Sequence, residues 1–286
     1  MKQAPDWKEY SVIATGDGMK LERWGSITLL RPDPQVIWHA RAPLANYPRL
    51  NARYIAEQRI GEKWEILRKV PESFLVHWRN LTFSLKLMKG FKHVGLFPEQ
   101  AVNWDEMMRL ISTAGRPIRV LNLFAYTGGA TLACLAAGAH VTHVDAATAM
   151  VARAKENAQL SGLADRPCRY IIDDCVKFVQ REIKRGKRYD AIIMDPPSFG
   201  RGPNGELWKI EQQLDDLLTL TEQVLSDNPL FFLINSYTTG LQPTVIKNLL
   251  TLHLGALGGK TTAYEVTLPT EEGIDLPCGC SGLTIF

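Results

Sequence analysis

The sequence predicts an α/β protein: a doubly wound, mostly parallel sheet of seven strands closed by an antiparallel hairpin, with a small β-rich module in front of it. Three observations carry this reading. Apolar runs alternate with helix-period segments from about residue 95; the first run ends in a Gly-Gly turn; and acidic residues follow three successive runs. The module is expected over residues 1–92 and the α/β domain over 93–286.

In the first part, β-rich stretches at 27–30, 35–38, 63–67 and 73–78 are separated by turn sequences such as Asp17-Gly18, Arg31-Pro32-Asp33-Pro34 and Asn46-Tyr47-Pro48. Residues 102–114 then read as a helix, because Trp104, Met107, Met108 and Ile111 recur at spacings of three and four. Strands are expected at 119–124, 140–144, 169–172, 191–194 and 230–234, and helices at 129–137, 147–161, 174–185, 206–226 and 242–254. Near-continuous apolar strands alternating with helices mean a parallel sheet covered on both faces. Segments 262–268 and 281–286 have no helix between them, so they form the closing hairpin.

At 286 residues and 45% hydrophobic, the chain can bury a full core. No apolar run approaches the ~18 residues of a membrane span, and the first residues lack the apolar stretch of a secretory signal. Five cysteines at irregular spacing (Cys134, Cys168, Cys175, Cys278 and Cys280) argue against a disulfide framework and for the cytoplasm. Cys278-Gly279-Cys280 is too short for a C-x₂-C zinc pair, so no metal is expected. Residues 1–92 hold 16 Lys+Arg against 9 Asp+Glu, whereas the remainder holds 17 against 21. Such a basic first third suits either a polyanion partner or an ordinary solvated surface.

Ligands of doubly wound sheets bind at the carboxyl ends of the strands, where the order reverses. After the first strand, Gly128 and Gly129 permit a sharp turn and a close approach, and the next helix points free N–H groups at an anion. The G-x-G-x-x-G spacing of a nicotinamide enzyme is absent. Asp145, 17 residues after Gly128, is placed to accept from both hydroxyls of a ribose or else to cap the following helix. Asp173-Asp174 and Asp195 repeat the pattern after the next two strands, which core packing does not require.

Phe124-x-x-x-Gly128-Gly129, Asp145, Asp174 and Asp195-Pro196-Pro197-Ser198-Phe199 resemble the successive motifs of class I, Rossmann-like S-adenosylmethionine (SAM) methyltransferases. Those of the large ribosomal subunit, acting on cytosine C5 or guanine N7, are the most similar group. Residues 91–100 resemble the pre-sheet cofactor motif of that group, with Ala101 where its members usually carry Arg. The resemblance implies that Phe91, Val94 and Gln100 contribute to the cofactor site. It also implies that Phe124, Tyr126, Thr127, Gly128 and Gly129 line the methionine part, and that Asp145 and Ala146 hold the ribose. Asp174 would accept from the adenine amino group, and Cys175 would cover the ring edge or serve as a small buried hydrophobe. Asp195 and Pro196 would face the sulfonium, with S-adenosylhomocysteine as the product.

Pro196-Pro197 fixes a stiff turn whose carbonyls can accept from a base, unless it simply ends the strand, and Phe199 can stack on an extruded base. Modification of cytosine C5 requires a thiolate to add to C6. The similar cytosine enzymes carry that cysteine after the fifth strand, where this sequence has Asn235-Ser236. The expected chemistry is therefore direct attack by the acceptor, with Asn235 and Ser236 as hydrogen-bonding groups and Cys278 or Cys280 as remote replacements. RNA, ribosomal RNA in particular, is the expected acceptor, docked by the basic module through Lys86, Lys89, Lys92 and His93 with Phe83 and Phe91 interleaved. A protein or small-molecule acceptor, or a SAM-binding assembly factor without activity, are the alternatives.

Overall fold

The computed structural model describes residues 1–4, 7–57, 61–201, 207–238 and 240–286. They divide into two compact units, one of Gln3–Ala101 with Thr267–Cys278 and one of Met1–Lys2, Val102–Val266 and Gly279–Phe286. The β-rich unit comprises residues 3–101 and 267–278.

After β1 (Lys2–Gln3), five strands form a sheet in chain order: β2 (Tyr10–Gly16), β3 (Met19–Trp24), β4 (Ile27–Pro32), β5 (Ala52–Glu57) and β6 (Gly61–Ile66). β7 (Phe74–Trp78) and β8 (Leu81–Leu85) form a separate ribbon. Asp17 and Gly18 both have positive φ, 53° and 74°, the two-residue hairpin turn whose twist suits the flanking strands. Residues 35–38, expected as a strand, are not one. The Asp17 and Gly18 amides donate to the Trp38 and Val36 carbonyls (2.8 and 3.0 Å), so the run is spent on bracing the turn. Beneath β3 and β4 a buried ion pair replaces part of the apolar core. Arg31 donates to the fully buried Glu22 from Nε (2.6 Å) and Nη2 (2.9 Å), and Tyr10 adds its hydroxyl at 2.7 Å.

The second unit begins with α1 (Ala101–Thr113) and then alternates: β9 (Arg119–Leu123), α2 (Gly129–Ala136), β10 (His140–Asp145), α3 (Thr148–Leu160), β11 (Cys168–Ile172), α4 (Cys175–Lys184), β12 (Ala191–Met194). A short ribbon, β13 (Phe199–Arg201) and β14 (Leu207–Lys209), precedes α5 (Ile210–Glu222), β15 (Phe231–Ser236), α6 (Pro243–Leu254), β16 (Lys260–Pro269) and β17 (Asp275–Ile285). The sheet order is β1-β16-β17-β15-β12-β9-β10-β11, the strands from β15 to β11 being parallel and β17 antiparallel to β15. All seven expected strands are present, and the two-residue β1 adds an eighth at the edge. The helix expected over 206–226 starts later, at Ile210, because 207–209 pair with β13; residue 206 lies outside the described residues. Every residue of β12 is buried, and Ile192, Met194, Phe232 and Leu217 belong to one core cluster. No helix among the described residues is long and apolar enough to cross a membrane.

Candidate active site

The register of the parallel strands aligns the ends of the sheet. Leu123 pairs with Val144 on one side and Met194 on the other, Met194 pairs with Ile234, and Asp145 with Ile172. The residues that follow (Phe124, Asp145, Asp195 and Asn235) therefore emerge together along the carboxyl edge. β9 is the point of reversal, since the chain runs from it to β10 and β11 and then returns to β12 on its other flank.

The turn after β9 is strained. Phe124 and Tyr126 sit at φ 54° and 49°, a left-handed conformation costing roughly 1–2 kcal/mol per non-glycine residue. Several elements hold it there. The Asp145 carboxylate accepts from the Tyr126 and Ala147 amides (2.8 and 2.9 Å), and the Cys175 sulfur accepts from the Phe124 amide at 3.3 Å. From α3, Asn157 Nδ2 donates to the Thr127 carbonyl at 2.9 Å. Gly128 sits at φ 89°, where a side chain is strained, and a Cβ there would crowd that of Ala154 at 3.0 Å. A Cβ on Gly129 would lie 2.6 Å from the Trp104 ring. Below the turn, Asn122 Nδ2 donates to Thr131 Oγ1, which bonds His143 Nδ1, both at 2.9 Å. All three side chains are buried, and burial pushes the His143 pKa down to about 3, so the ring is neutral. This polar chain ties the first turn of α2 to β9 and β10.

The sequence-derived residues fall as follows. Asp145 is partly buried beside exposed Ala146. Asp174 caps α4, accepting from the Lys177 amide at 2.9 Å. Cys175 is 3% exposed, burial raises its thiol, and its sulfur props the Phe124 turn. Pro196 is buried, while Pro197 and Phe199 are exposed. Asn235 Oδ1 accepts from Asn103 Nδ2 (3.1 Å) and Ser281 Oγ (2.8 Å), and Tyr264 donates to Asn103 Oδ1 at 2.6 Å. Ser236 is buried, and its Oγ accepts from the Thr238 amide at 3.2 Å. Phe91, Val94 and Gln100 belong to the β-rich unit, Phe91 exposed and the other two buried.

Sequence reasoning missed Trp208. Its indole N–H donates to the Pro197 carbonyl at 2.6 Å, and its ring lies 5.7 Å from that of Phe124. It links the turn after β9 to the Asp-Pro-Pro segment after β12. Neither hairpin thiol is activated. Cys280 donates to the Leu241 carbonyl (3.1 Å) and burial raises its pKa to about 11; Cys278 is raised further, again chiefly by burial.

The donor set fits a SAM-sized cofactor. No side chain caps α2, so its first-turn N–H groups suit an α-carboxylate. The carboxylate oxygens of Asp145 and Asp174 each retain lone pairs beyond their backbone bonds, suiting hydroxyl and amino donors.

A sheet of this order, with a glycine turn at the reversal point and acids at three successive strand ends, defines a class I methyltransferase domain. Residues 50–241 match the family model for S-adenosylmethionine-dependent methyltransferases, and the chain belongs to that family. It is similar to the ribosomal RNA large subunit methyltransferase K/L of Shewanella sp. (strain MR-4), 32% identical over 149 residues, 51% of this chain and 20% of that protein. The chain thus spans about a fifth of the length of the curated relatives it matches. The crystal structure of a SAM-dependent methyltransferase from Agrobacterium tumefaciens superposes with a TM-score of 0.91 at 32% identity, covering 99% of this chain and 92% of that one. The methyltransferase SMU.776, solved with S-adenosylhomocysteine, has the same fold at 20% identity (TM-score 0.75, covering 97% and 76%).

Proposed function

We propose that this SAM-dependent enzyme methylates a nitrogen of an RNA base, ribosomal RNA foremost, by direct attack and in the cytoplasm. The observation that carries the chemistry is the register that sets Asp195-Pro196-Pro197 beside the Phe124 turn, with the Asp195 amide donating to the Leu123 carbonyl at 3.4 Å. RNA as acceptor is supported by the ribosomal RNA methyltransferases that the chain matches over half its length.

When bound, the cofactor supplies an electrophilic methyl group on a sulfonium and leaves as S-adenosylhomocysteine. The chain's own residues bind, orient and exclude water. On this reading the α2 N–H groups hold the amino-acid end, with Phe124, Tyr126 and Thr127 around it. Asp145 accepts from the ribose, Ala146 lies beside it, and Asp174 accepts from the adenine amino group. Asp195 and the Pro196 carbonyl orient the acceptor, and exposed Phe199 stacks on its base. Asn235 and Ser236, both engaged in buried hydrogen bonds, brace this rim. The β-rich module, residues 1–92, docks the RNA.

The test is transfer of tritiated methyl groups from SAM to ribosomal RNA from cells lacking the protein, followed by nucleoside analysis. Label on a base nitrogen is expected. Label on cytosine C5 would overturn direct attack, and label in protein or small molecules alone would overturn the RNA reading.

A further inference from the structure

The basic excess of residues 1–92 is diluted in the folded unit. Gln3–Ala101 with Thr267–Cys278 carries 15 Lys+Arg against 13 Asp+Glu. In the lysine-rich segment at 86–93 Lys86, Lys89 and Phe91 are exposed, whereas Phe83 is fully buried, Lys92 donates to the Pro32 carbonyl at 3.3 Å, and burial beside Arg31 and Lys92 pushes the His93 pKa down to about 3.

One place in the unit combines what a nucleotide needs. An open cleft of about 440 Å³ is lined by Trp7, Lys8, Glu9, His77 and Arg79. The Trp7 indole is fixed: its N–H donates to the Pro98 carbonyl at 2.9 Å, and its ring packs against Trp78 and edge-on to Tyr10 at 6.4 and 6.0 Å. One oxygen of the Glu9 carboxylate accepts from the His77 amide (2.8 Å) and lies 3.0 Å from His77 Nδ1. The exposed Arg79 carries its guanidinium 4.7 Å above the Trp78 ring, a flat and rigid support.

Arg79 is also in a costly conformation. Trp78 pairs with Leu81, so Arg79 and Asn80 form a two-residue hairpin turn, and Arg79 takes φ 53° at its first central position. Glycine is the usual occupant of a left-handed site of that kind. A cation kept there against local preference is the sort of conflict found at binding sites.

We propose that this cleft binds one nucleotide of a single-stranded RNA segment, with the base against Trp7 and the phosphates on Lys8 and Arg79. Flat bases stack on aromatic rings whatever their sequence, while lysine and arginine track the backbone. The proposal deepens the RNA reading and rests on it.

The experiment uses the full chain and a fluorescein-labelled, unstructured 12-nucleotide RNA of mixed sequence, with affinity read by anisotropy from 50 to 300 mM salt. SAM affinity is read in parallel by calorimetry. The variant is Lys8→Gln with Arg79→Gln, both exposed; the control is Lys187→Gln with Arg188→Gln, an exposed basic pair of the other unit. We expect the cleft variant to bind RNA at least tenfold more weakly at 50 mM salt. Its log–log salt slope should be shallower by about 1.4, ~0.7 for each lost phosphate contact. SAM affinity should be unchanged and the control pair should have a smaller effect. Ultraviolet crosslinking mapped by mass spectrometry should place a nucleotide adduct on Trp7 or His77. Wild-type binding with no difference between cleft and control variants would overturn this site alone. A wild-type protein that neither binds nor methylates RNA would overturn the functional reading beneath it.

Discussion

Replacing Asp145 by alanine tests the cofactor site most directly, because the structure gives this carboxylate two tasks that can be separated. Its oxygens accept from the Tyr126 and Ala147 amides at 2.8 and 2.9 Å, and on the proposed reading also from the ribose hydroxyls. With water as the competing partner, each ribose hydrogen bond contributes about 1–1.5 kcal/mol net. Losing the ribose pair predicts 2–3 kcal/mol weaker SAM binding, roughly a 30- to 150-fold rise in Kd. Losing the Tyr126 bond releases a turn already held at φ 49°, which lowers thermal stability without ligand. Calorimetry with S-adenosylhomocysteine and its 2′-deoxy analogue separates the two. Wild type should prefer the hydroxylated ligand by about 1 kcal/mol, and Asp145→Ala should barely distinguish them. If Asp145→Ala binds SAM like wild type, or keeps the full 2′-hydroxyl preference, the assignment of the second strand end to the ribose is wrong.

Three further outcomes follow from the same geometry. Trp208→Phe keeps a ring near Phe124 but loses the N–H bond to the Pro197 carbonyl. SAM affinity should stay within about twofold while kcat falls several-fold, from roughly 1 kcal/mol of lost positioning, whereas Trp208→Ala should weaken both. Thr131→Val preserves shape but strands Asn122 Nδ2 and His143 Nδ1 in the interior; unfolding curves should show a loss of about 2–4 kcal/mol and SAM should bind more weakly. In the β-rich unit, burial alone would raise the Glu22 pKa, but Arg31 and Lys20 overcome it and hold it at about 2 against an ordinary 4.5. A depressed folded pKa contributes stability above the unfolded value, so that contribution should fade as pH drops from about 4.5 towards 2, and Glu22→Gln should cost about 3–5 kcal/mol at neutral pH and flatten the acid limb of a denaturation series.

The parallel sheet was legible because its strands are buried on both faces: β12 and the first four residues of β15 are unbroken apolar runs, while β9 and β10 are mostly buried with Asn122, Thr142 and His143 interleaved. The cofactor edge was legible for a related reason: Asp145, Asp174 and Asp195 follow apolar runs where nothing in packing asks for a charge. Local conflicts hid the rest. Leu207 and Trp208 continue the periodicity of α5, so only pairing with β13 reveals them as a strand. Residues 35–38 have strand composition but spend two carbonyls on the β2–β3 turn. The network of Asn103, Asn235, Tyr264 and Ser281 is assembled from positions up to 178 residues apart and has no local signature. The assignment of residues 267–278 to the β-rich unit is equally non-local. There Ser11 donates to Glu271 and Thr15 to Glu272, both at 2.7 Å.

The thiols of the hairpin bear on the chemistry more than their number suggests. Carbon attack on a methyl donor by an unactivated pyrimidine requires a prior thiolate adduct, so the decisive quantity is thiolate available at the strand ends. Ser236 is paired in register with Cys280, so a thiol does lie beside the position where such a nucleophile would act. Burial raises its pKa to about 11 and its hydrogen is donated to the Leu241 carbonyl, so the thiol is kept protonated at neutral pH, the opposite of what covalent catalysis demands. Ser236, whose Oγ accepts from the Thr238 amide and is bonded to no basic side chain among the described residues, supplies no substitute. On the proposed reading the acceptor brings its own lone pair, so label on a base nitrogen rather than on cytosine C5 is the outcome expected.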